Sequence, residues 1–252
     1  PAYGHVPMIL GQDGAKLSKR HGAVSVLEYR QEGYLPEAVL NYLVRLGWSH
    51  GDQEIFDVDE MIELFDIADV NKSPSSFNPD KLMWLNQQYI MEASGDYLGL
   101  MLSWQLERLG VSIVGGPDPE AVAEAYRQRA QTIHEMAQSA MFFYQDVHGY
   151  HDKSARKHLS PAALPALNPV RDGLFLSERW EASALHDVVQ ATAEQLGLKL
   201  GKVAQPIRVA VSGGPVSPPI DVTLELLGRD RVLDRLDRAI HHAEHIASEG
   251  AV

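Results

Sequence analysis

Apolar side chains recur three and four residues apart along most of the chain, which is the spacing of one face of an α-helix. The clearest run follows Pro36, a residue suited to the first helical turn, and it ends at Gly47. Its apolar members are Val39, Leu40, Leu43, Val44 and Leu46. The alternation of a strand is almost absent, and the neighbourhood of Ile113 is the only candidate. The pattern therefore predicts an all-α fold.

Polar caps and glycines give the limits of the other helices. Asp57 with Glu60 and Thr132 with Glu135 have capping-box spacing, and Asn78 precedes a proline. The remaining predicted helices cover residues 25–32, 96–109, 160 onward, 178–196, 199–211, 221–228 and 230–247, with one more from 118. Pro206 is expected to interrupt the helix in which it lies. Residues 148–158 are predicted to form an exposed connection, and residues 212–219, rich in proline and glycine, a loop of fixed shape.

Composition narrows the class of protein. The chain has 252 residues, of which 45% are apolar, and this is enough for one or two domains with cores. It contains no cysteine, which excludes disulfides and cysteine-ligated zinc and fits a cytoplasmic location. No apolar run reaches the length of a membrane-spanning helix, so we expect no membrane partner.

The formal net charge of −12 argues against indiscriminate binding of nucleic acid, and we expect no DNA partner. The charge is unevenly distributed. Residues 52–69 carry eight acidic side chains and no lysine or arginine, whereas residues 199–238 carry seven basic and five acidic ones. Any contact with RNA must therefore use local basic surface. The acidic stretch itself is expected to be a solvated helix face.

One short basic stretch stands out near the start, Lys16-Leu17-Ser18-Lys19-Arg20-His21-Gly22, with Gly11 and Gly14 before it. Glycines let the backbone bend, lysines supply charge to phosphate oxygens, and loop amides and a hydroxyl add donors. Such a loop suits a triphosphate, although a solvated basic turn has the same composition. The candidate catalytic residues are Lys16, Ser18 and Lys19, and the two lysines are also the candidate ATP-binding residues.

The downstream sequence resembles bacterial glutamyl-tRNA synthetases, which are class I aminoacyl-tRNA synthetases. The basic stretch looks like the second signature of that class, usually KMSKS and here KLSKR. The other matching segments are His21–Val26, Gly33–Ala38, Asn41–Asp52, Lys81–Asn86, Arg129–Met136 and Gln205–Arg208. No HIGH-type motif, the first class I signature, is present. We therefore expect a C-terminal fragment that begins just before the signature loop.

This resemblance implies a ligase that uses ATP with Mg²⁺ to attach glutamate to tRNA in the cytoplasm. Lys16 and Lys19 would neutralise charge on the leaving pyrophosphate, and Ser18 would donate a hydrogen bond. Residues 1–95 would hold this loop and contact the tRNA stem. Residues 96–252 would form a helical anticodon-binding domain of two lobes, with a break near 150–177. Without the nucleotide-binding domain, the fragment alone is expected to be inactive and to hold no cofactor.

The segment from Val203 to Asp221 is predicted to form a wall of the anticodon pocket. Arg208 follows Pro206 closely, so a stiff backbone presents its guanidinium for stacking on or hydrogen bonding to a base. The prolines between Gly213 and Ile220 fix apolar faces and carbonyls toward splayed bases. The resemblance implies the same use of the loop and the arginine, with a further polar residue from Arg129 or Gln131. The full predicted set is Arg129, Gln131, Gln205, Arg208, Ser217, Pro218 and Ile220. Alternatively, the proline kinks a helix for packing and the loop is only a connection.

Two other functions fit a helical chain. A protein–protein interaction domain without RNA function uses the same architecture, but it has no need of the basic loop. A glutaminyl-tRNA synthetase shares the class, but its anticodon-binding part is built from β-barrels, which the near absence of strand patterns disfavours. His241 and His245 share a helix face but have no third ligand, so no metal site is expected.

Overall fold

The structure, a computed structural model, describes residues 3–18 and 25–249. Thirteen α-helices make up most of these residues, which confirms the predicted all-α fold. The helices are α1 Val26–Gln31, α2 Pro36–Arg45, α3 Val58–Leu64, α4 Pro79–Glu92, α5 Gly95–Arg108, α6 Pro119–Tyr126, α7 Ile133–Ala140, α8 Asp152–His158, α9 Leu164–Leu176, α10 Ala182–Gln195, α11 Leu200–Ser212, α12 Ile220–Leu227 and α13 Arg229–Glu249.

Two short strands, β1 Ile9–Leu10 and β2 Ser75–Ser76, pair in parallel. The only strand expected from the sequence, near Ile113, is absent from the structure, where Val111–Ile113 have no regular structure. Two residues are too few to show alternation. Phe77 N–H also donates to Leu10 C=O at 2.8 Å, so the pairing joins segments far apart in sequence.

The chain divides into two compact units. The first contains the chain up to Gln105 together with Tyr126–Gln138, and the second contains Leu106–Ala125 together with the chain from Ser139 onward. The predicted functional division into residues 1–95 and 96–252, with a break near 150–177, stays a prediction.

In the first unit, α2 packs on α4 around an aromatic and aliphatic cluster. Its buried members are Tyr42, Phe77, Leu82 and Leu85. Leu17, from the basic stretch, packs against this cluster. A second cluster contains Trp48, which is 2% exposed and belongs to the core. Packing of Leu17 therefore helps to anchor the stretch that precedes Ser18.

The predicted caps in the first unit are confirmed. The Asp57 side chain accepts a hydrogen bond from Glu60 N–H at 2.7 Å, and Asp57 N–H donates to Glu60 Oε2 at 2.9 Å. The Asn78 side chain accepts from two amides at the start of α4. These bonds satisfy helix amides that have no partner within the helix. The starts of these helices are therefore set by hydrogen bonds from side chains close in sequence.

The second unit is built from α9 to α13, which pack on one another, with α8 lying against α11. The prediction that 148–158 is only an exposed connection is wrong, because it contains α8. Ser154 and Ala155 are small enough to bury that helix face. The helix predicted from 178 begins at Ala182.

Pro206 does not interrupt α11, contrary to the prediction. A proline inside a helix removes one backbone donor and disturbs the preceding turn. Here Pro206 is buried, and its neighbours Val203, Ile207 and Val211 are fully buried on the same helix. Tertiary packing therefore outweighs the local penalty.

Candidate nucleic-acid interface

The start of the basic stretch forms a tight turn in the first unit. Gly11 N–H donates to Ala15 C=O at 2.8 Å, and Gly14 N–H donates to Gly11 C=O at 3.0 Å. Gly14 has a φ of 74°, a conformation that favours glycine. Leu17 N–H then donates to Ile9 C=O at 3.0 Å. The turn thereby folds the stretch back along β1.

This pairing gives successive side chains opposite surroundings. Lys16 is exposed, Leu17 packs on the core, and Ser18 is half-buried. An exposed ammonium group beside a hydroxyl fits a phosphate-binding function. Lys19, the third candidate, lies outside the described residues, as do Arg20, His21 and Gly22.

In the second unit, Arg208 is held from two sides. Its Nε donates to Ser217 Oγ at 2.9 Å, and its Nη1 donates to Gln205 Oε1 at 2.8 Å. Gln205 Nε2 in turn donates to Pro215 C=O at 2.9 Å. The network connects α11 to the loop over residues 213–219 and fixes a half-buried guanidinium beside that loop. The structure thus brings Gln205, Arg208 and Ser217 together.

The other predicted loop residues face inward. Ser217 is 2% exposed, Ile220 is 6% exposed, and Pro218 is also buried. Thr223 Oγ1 donates to Ser217 Oγ at 3.1 Å and so joins the serine to α12. The exposed side chains of the loop are Pro215, Val216 and Pro219. Sequence reasoning found the loop but not these three residues, because burial within a loop leaves no periodic signal.

Gly213 sets the shape of this loop. Its φ is 77°, and a Cβ added there would lie 2.8 Å from Val147 Cγ1 and 3.1 Å from Gly149 C=O. His151 N–H donates to Gly213 C=O at 2.8 Å. The loop therefore follows α11 in one defined direction, as its glycines and prolines predict.

Arg235 supports the same region from the core. Its side chain is 2% exposed and donates to the carbonyls of Val211, Phe142 and Gln145, the last two at 2.9 Å. Burial lowers the pKa of Arg235 to about 10. No sequence pattern singles out this residue, because a buried arginine on α13 has the same spacing as an exposed one.

Arg129 and Gln131 belong to the first unit, and both are exposed. Gln131 C=O accepts from Asn86 Nδ2 at 2.6 Å, and Gln131 N–H donates to Glu135 Oε2 at 3.0 Å. Thr132 Oγ1 accepts from Glu135 N–H at 3.1 Å, as the predicted cap requires. The backbone at Gln131 is thus fixed while its side chain faces solvent.

Within the described residues, no group of three or more histidine and acidic side chains is arranged to hold a metal ion. His241 and His245 are both exposed on α13. Over the same residues, no helix has the length and apolar character needed to span a membrane.

Comparison with known proteins identifies the family. A profile described as "Anticodon binding domain" matches residues 82–240, and one described as "tRNA synthetases class I (E and Q), catalytic domain" matches residues 1–84. The chain therefore belongs to the class I tRNA synthetases, and within them to the glutamyl-tRNA synthetase family.

The curated relatives are named as glutamate–tRNA ligases. Glutamate–tRNA ligase 1 of Alkalilimnicola ehrlichii is 58% identical over 95% of this chain and 51% of that protein. Glutamate–tRNA ligase 1 of Nitrosococcus oceani is 55% identical over 97% of this chain and 52% of that protein. The chain thus spans about half the length of the curated relatives that it matches.

Solved structures agree in fold. A glutamate tRNA ligase from Elizabethkingia meningosepticum, in complex with its amino acid, has a TM-score of 0.80 and 27% identity, over 96% of this chain and 51% of that one. Glutamate-tRNA synthetase from Elizabethkingia anophelis has a TM-score of 0.78 and 26% identity, over the same shares of the two chains.

Proposed function

We propose that this chain is the tRNA-binding part of a glutamate–tRNA ligase and that it reads the anticodon through the loop after α11. The observation that carries the proposal is the network in which Gln205 and Ser217 hold Arg208 beside an exposed proline loop. Family membership supports the same function, because the anticodon-binding profile covers this region. The same profile favours this function over a protein–protein interaction domain without RNA function.

Arg208 is suited to recognise a base because its guanidinium is oriented before RNA arrives. Two of its donors are already engaged within the protein, so its orientation does not depend on a ligand. A guanidinium plane held in this way stacks on a splayed base or hydrogen bonds to its edge with little loss of entropy. Pro215, Val216 and Pro219 add exposed apolar surface from a stiff backbone.

Three of the predicted residues, Ser217, Pro218 and Ile220, do not contact bases directly in this proposal. Their side chains are buried, so they shape the loop, and bases are met by loop carbonyls and by exposed neighbours. Arg129 and Gln131 stay candidates for a further polar contact, because both are exposed on a fixed backbone.

In the intact ligase, ATP would supply the energy for activating glutamate before its transfer to tRNA. Lys16 and Ser18 fit the phosphate end of ATP, since one supplies an exposed ammonium group and the other, two residues on, a half-buried hydroxyl. Lys16 and Lys19 would neutralise charge on the pyrophosphate, with Mg²⁺ as the companion ion of the nucleotide. Glutamate, ATP and tRNA as substrates, and the cytoplasmic location, are parts of this proposal.

Titration of the 252-residue chain with transcribed tRNA for glutamate tests the proposal. We expect saturable binding whose affinity falls as salt rises, because phosphate contacts release counterions. A transfer RNA of unrelated anticodon is the control and should bind more weakly. The interaction-domain alternative predicts no binding at low salt, and that result would refute the proposal.

A further inference from the structure

A basic groove lies in the second unit, between the end of α8 and the start of α11. Its volume is about 530 Å³, and its ionisable lining residues are Lys157, His158, Lys199 and Lys202. An adjoining concavity of about 520 Å³ is lined by Asp152, Lys153, Arg156 and Lys157. Lys157 belongs to both, so the two concavities form one continuous basic surface.

The cations of this surface have no acidic partners. The exposed members are Lys153, Arg156, Lys157, Lys199 and Lys202. In the described part of the chain none of the five forms an ion pair, whereas Arg171, Arg179 and Arg238 each do. Asp152 is the one acidic side chain among the lining residues, so the five cations leave a net positive surface, which on a chain with a net charge of −12 favours an anionic ligand.

The pKa of His158 depends on the positive charges around the groove. Burial lowers the pKa of His158, and the charges of Lys157 on α8 and Lys202 on α11 lower it further. Lysines from two different helices therefore act on the same point in the groove. A bound anion would relieve this repulsion.

We propose that the groove binds phosphate groups of the RNA backbone beside the loop that reads the anticodon. The argument for RNA is continuity: Gln205 and Pro206 line the groove, and the same Gln205 accepts the hydrogen bond from Arg208. A strand whose base meets Arg208 therefore carries its adjacent phosphates past Lys157 and Lys202. This inference rests on the proposed function. It adds a site for the RNA backbone, which is bound without regard to base sequence.

The test uses the full chain with Lys157→Gln and Lys202→Gln combined. Both side chains are exposed, so the fold should be unaffected, and a thermal melt checks this. We expect affinity for tRNA to fall about ten- to thirtyfold at about 0.1 M salt, since each lost phosphate contact reduces the salt slope by about 0.7. The loss should be equal for cognate and altered anticodons. Arg179→Gln is the matched control, because its charge is already engaged by Glu181.

If the wild type binds tRNA and the double variant has the same affinity and salt slope, the groove does not bind phosphate groups. The proposed function would not be affected by that result. A loss confined to the cognate anticodon would also contradict phosphate binding in the groove, since phosphates carry no sequence. If the wild-type chain binds no tRNA, both proposals fail.

A second measurement follows the His158 ring by NMR across pH, and it needs no RNA. In the double variant the pKa of His158 should rise, because two neighbouring positive charges are gone. Saturating tRNA should raise it in the wild type, and inorganic phosphate serves as the probe for a free anion. If phosphate shifts the titration and tRNA does not, the groove binds small anions and the RNA proposal is wrong. An unchanged pKa in the double variant would show that the lysines do not face this groove.

Discussion

At Arg235, burial and hydrogen bonding act in opposite directions on one guanidinium. Burial disfavours its charge and lowers its pKa to about 10, yet three backbone carbonyls depend on its donors. We expect Arg235→Met to reduce the free energy of unfolding by about 2–4 kcal/mol, because it leaves buried acceptors unpaired. Urea denaturation of the two proteins measures this difference, and Arg179→Met, at an exposed site, should change little.

The same residue gives a prediction about pH. Its folded pKa is depressed to about 10, so the unfolded chain holds more protons than the folded chain only near pH 10 and above. Well below pH 10 both states are fully protonated. The stability difference between wild type and Arg235→Met should therefore be the same at about pH 6 and about pH 8. A difference that changes across this range would show that the guanidinium is not the group responsible.

Single residues also show what could be predicted from the sequence. Lys16 and Ser18 were identified by charge and hydroxyl chemistry, and they flank a leucine that packs inward. Ser217 and Pro218 lie in the predicted loop and Ile220 begins α12, but the burial of the three side chains depends on contacts between the loop and α12. Such long-range contacts have no local sequence signal.

At the scale of secondary-structure elements, capping residues predict helix starts better than proline predicts helix ends. Asp57, Asn78 and Thr132 mark helix starts, because each side chain satisfies amides within its own first turn. Pro206 was misread as an interruption, and α8 was missed, because tertiary packing stabilises both segments. The local rule fails where burial outweighs it.

The loop after α11 depends on the backbone of Gly213. Adding a methyl group there combines an unfavourable φ with contacts below 3.2 Å, one of them to backbone. We expect Gly213→Ala to destabilise the second unit by about 2–3 kcal/mol and to weaken tRNA binding.

Gly214 is the matched control for this substitution. Its φ is not left-handed, and a Cβ added there would meet nothing within 4 Å. Gly214→Ala should therefore change stability by less than about 1 kcal/mol. Thermal and urea unfolding compare the two variants, and equal effects would mean that the loop does not depend on the conformation at Gly213.

For the molecule as a whole, one prediction concerns catalysis. Lys16 and Ser18 fit phosphate, but the sequence contains no HIGH-type motif to complete an ATP site. We expect this 252-residue chain to catalyse no ATP–pyrophosphate exchange with glutamate above a blank. Adding tRNA should not change this, and exchange that depends on Lys16 would contradict it.

The two compact units are not continuous segments of the chain. Contacts group Leu106–Ala125 with the residues from Ser139 onward. The predicted functional boundary near residue 95 lies where α5 begins. The chain passes between the two units because of long-range packing. Helix caps and helix-breaking residues act locally and do not predict it. The boundary of the functional domains thus stays a prediction.

The most direct test of anticodon reading is a titration of the chain and of two Arg208 variants with tRNA. One tRNA carries the cognate anticodon, and the others differ from it by single bases. We expect Arg208→Ala to weaken cognate binding by about 1–3 kcal/mol and to reduce the preference among anticodons.

Arg208→Lys keeps the charge but loses the planar fork that Gln205 and Ser217 hold, so it should retain salt-dependent affinity and lose the preference. If Arg208→Ala leaves both affinity and anticodon preference as they are in the wild type, the loop after α11 does not read the anticodon.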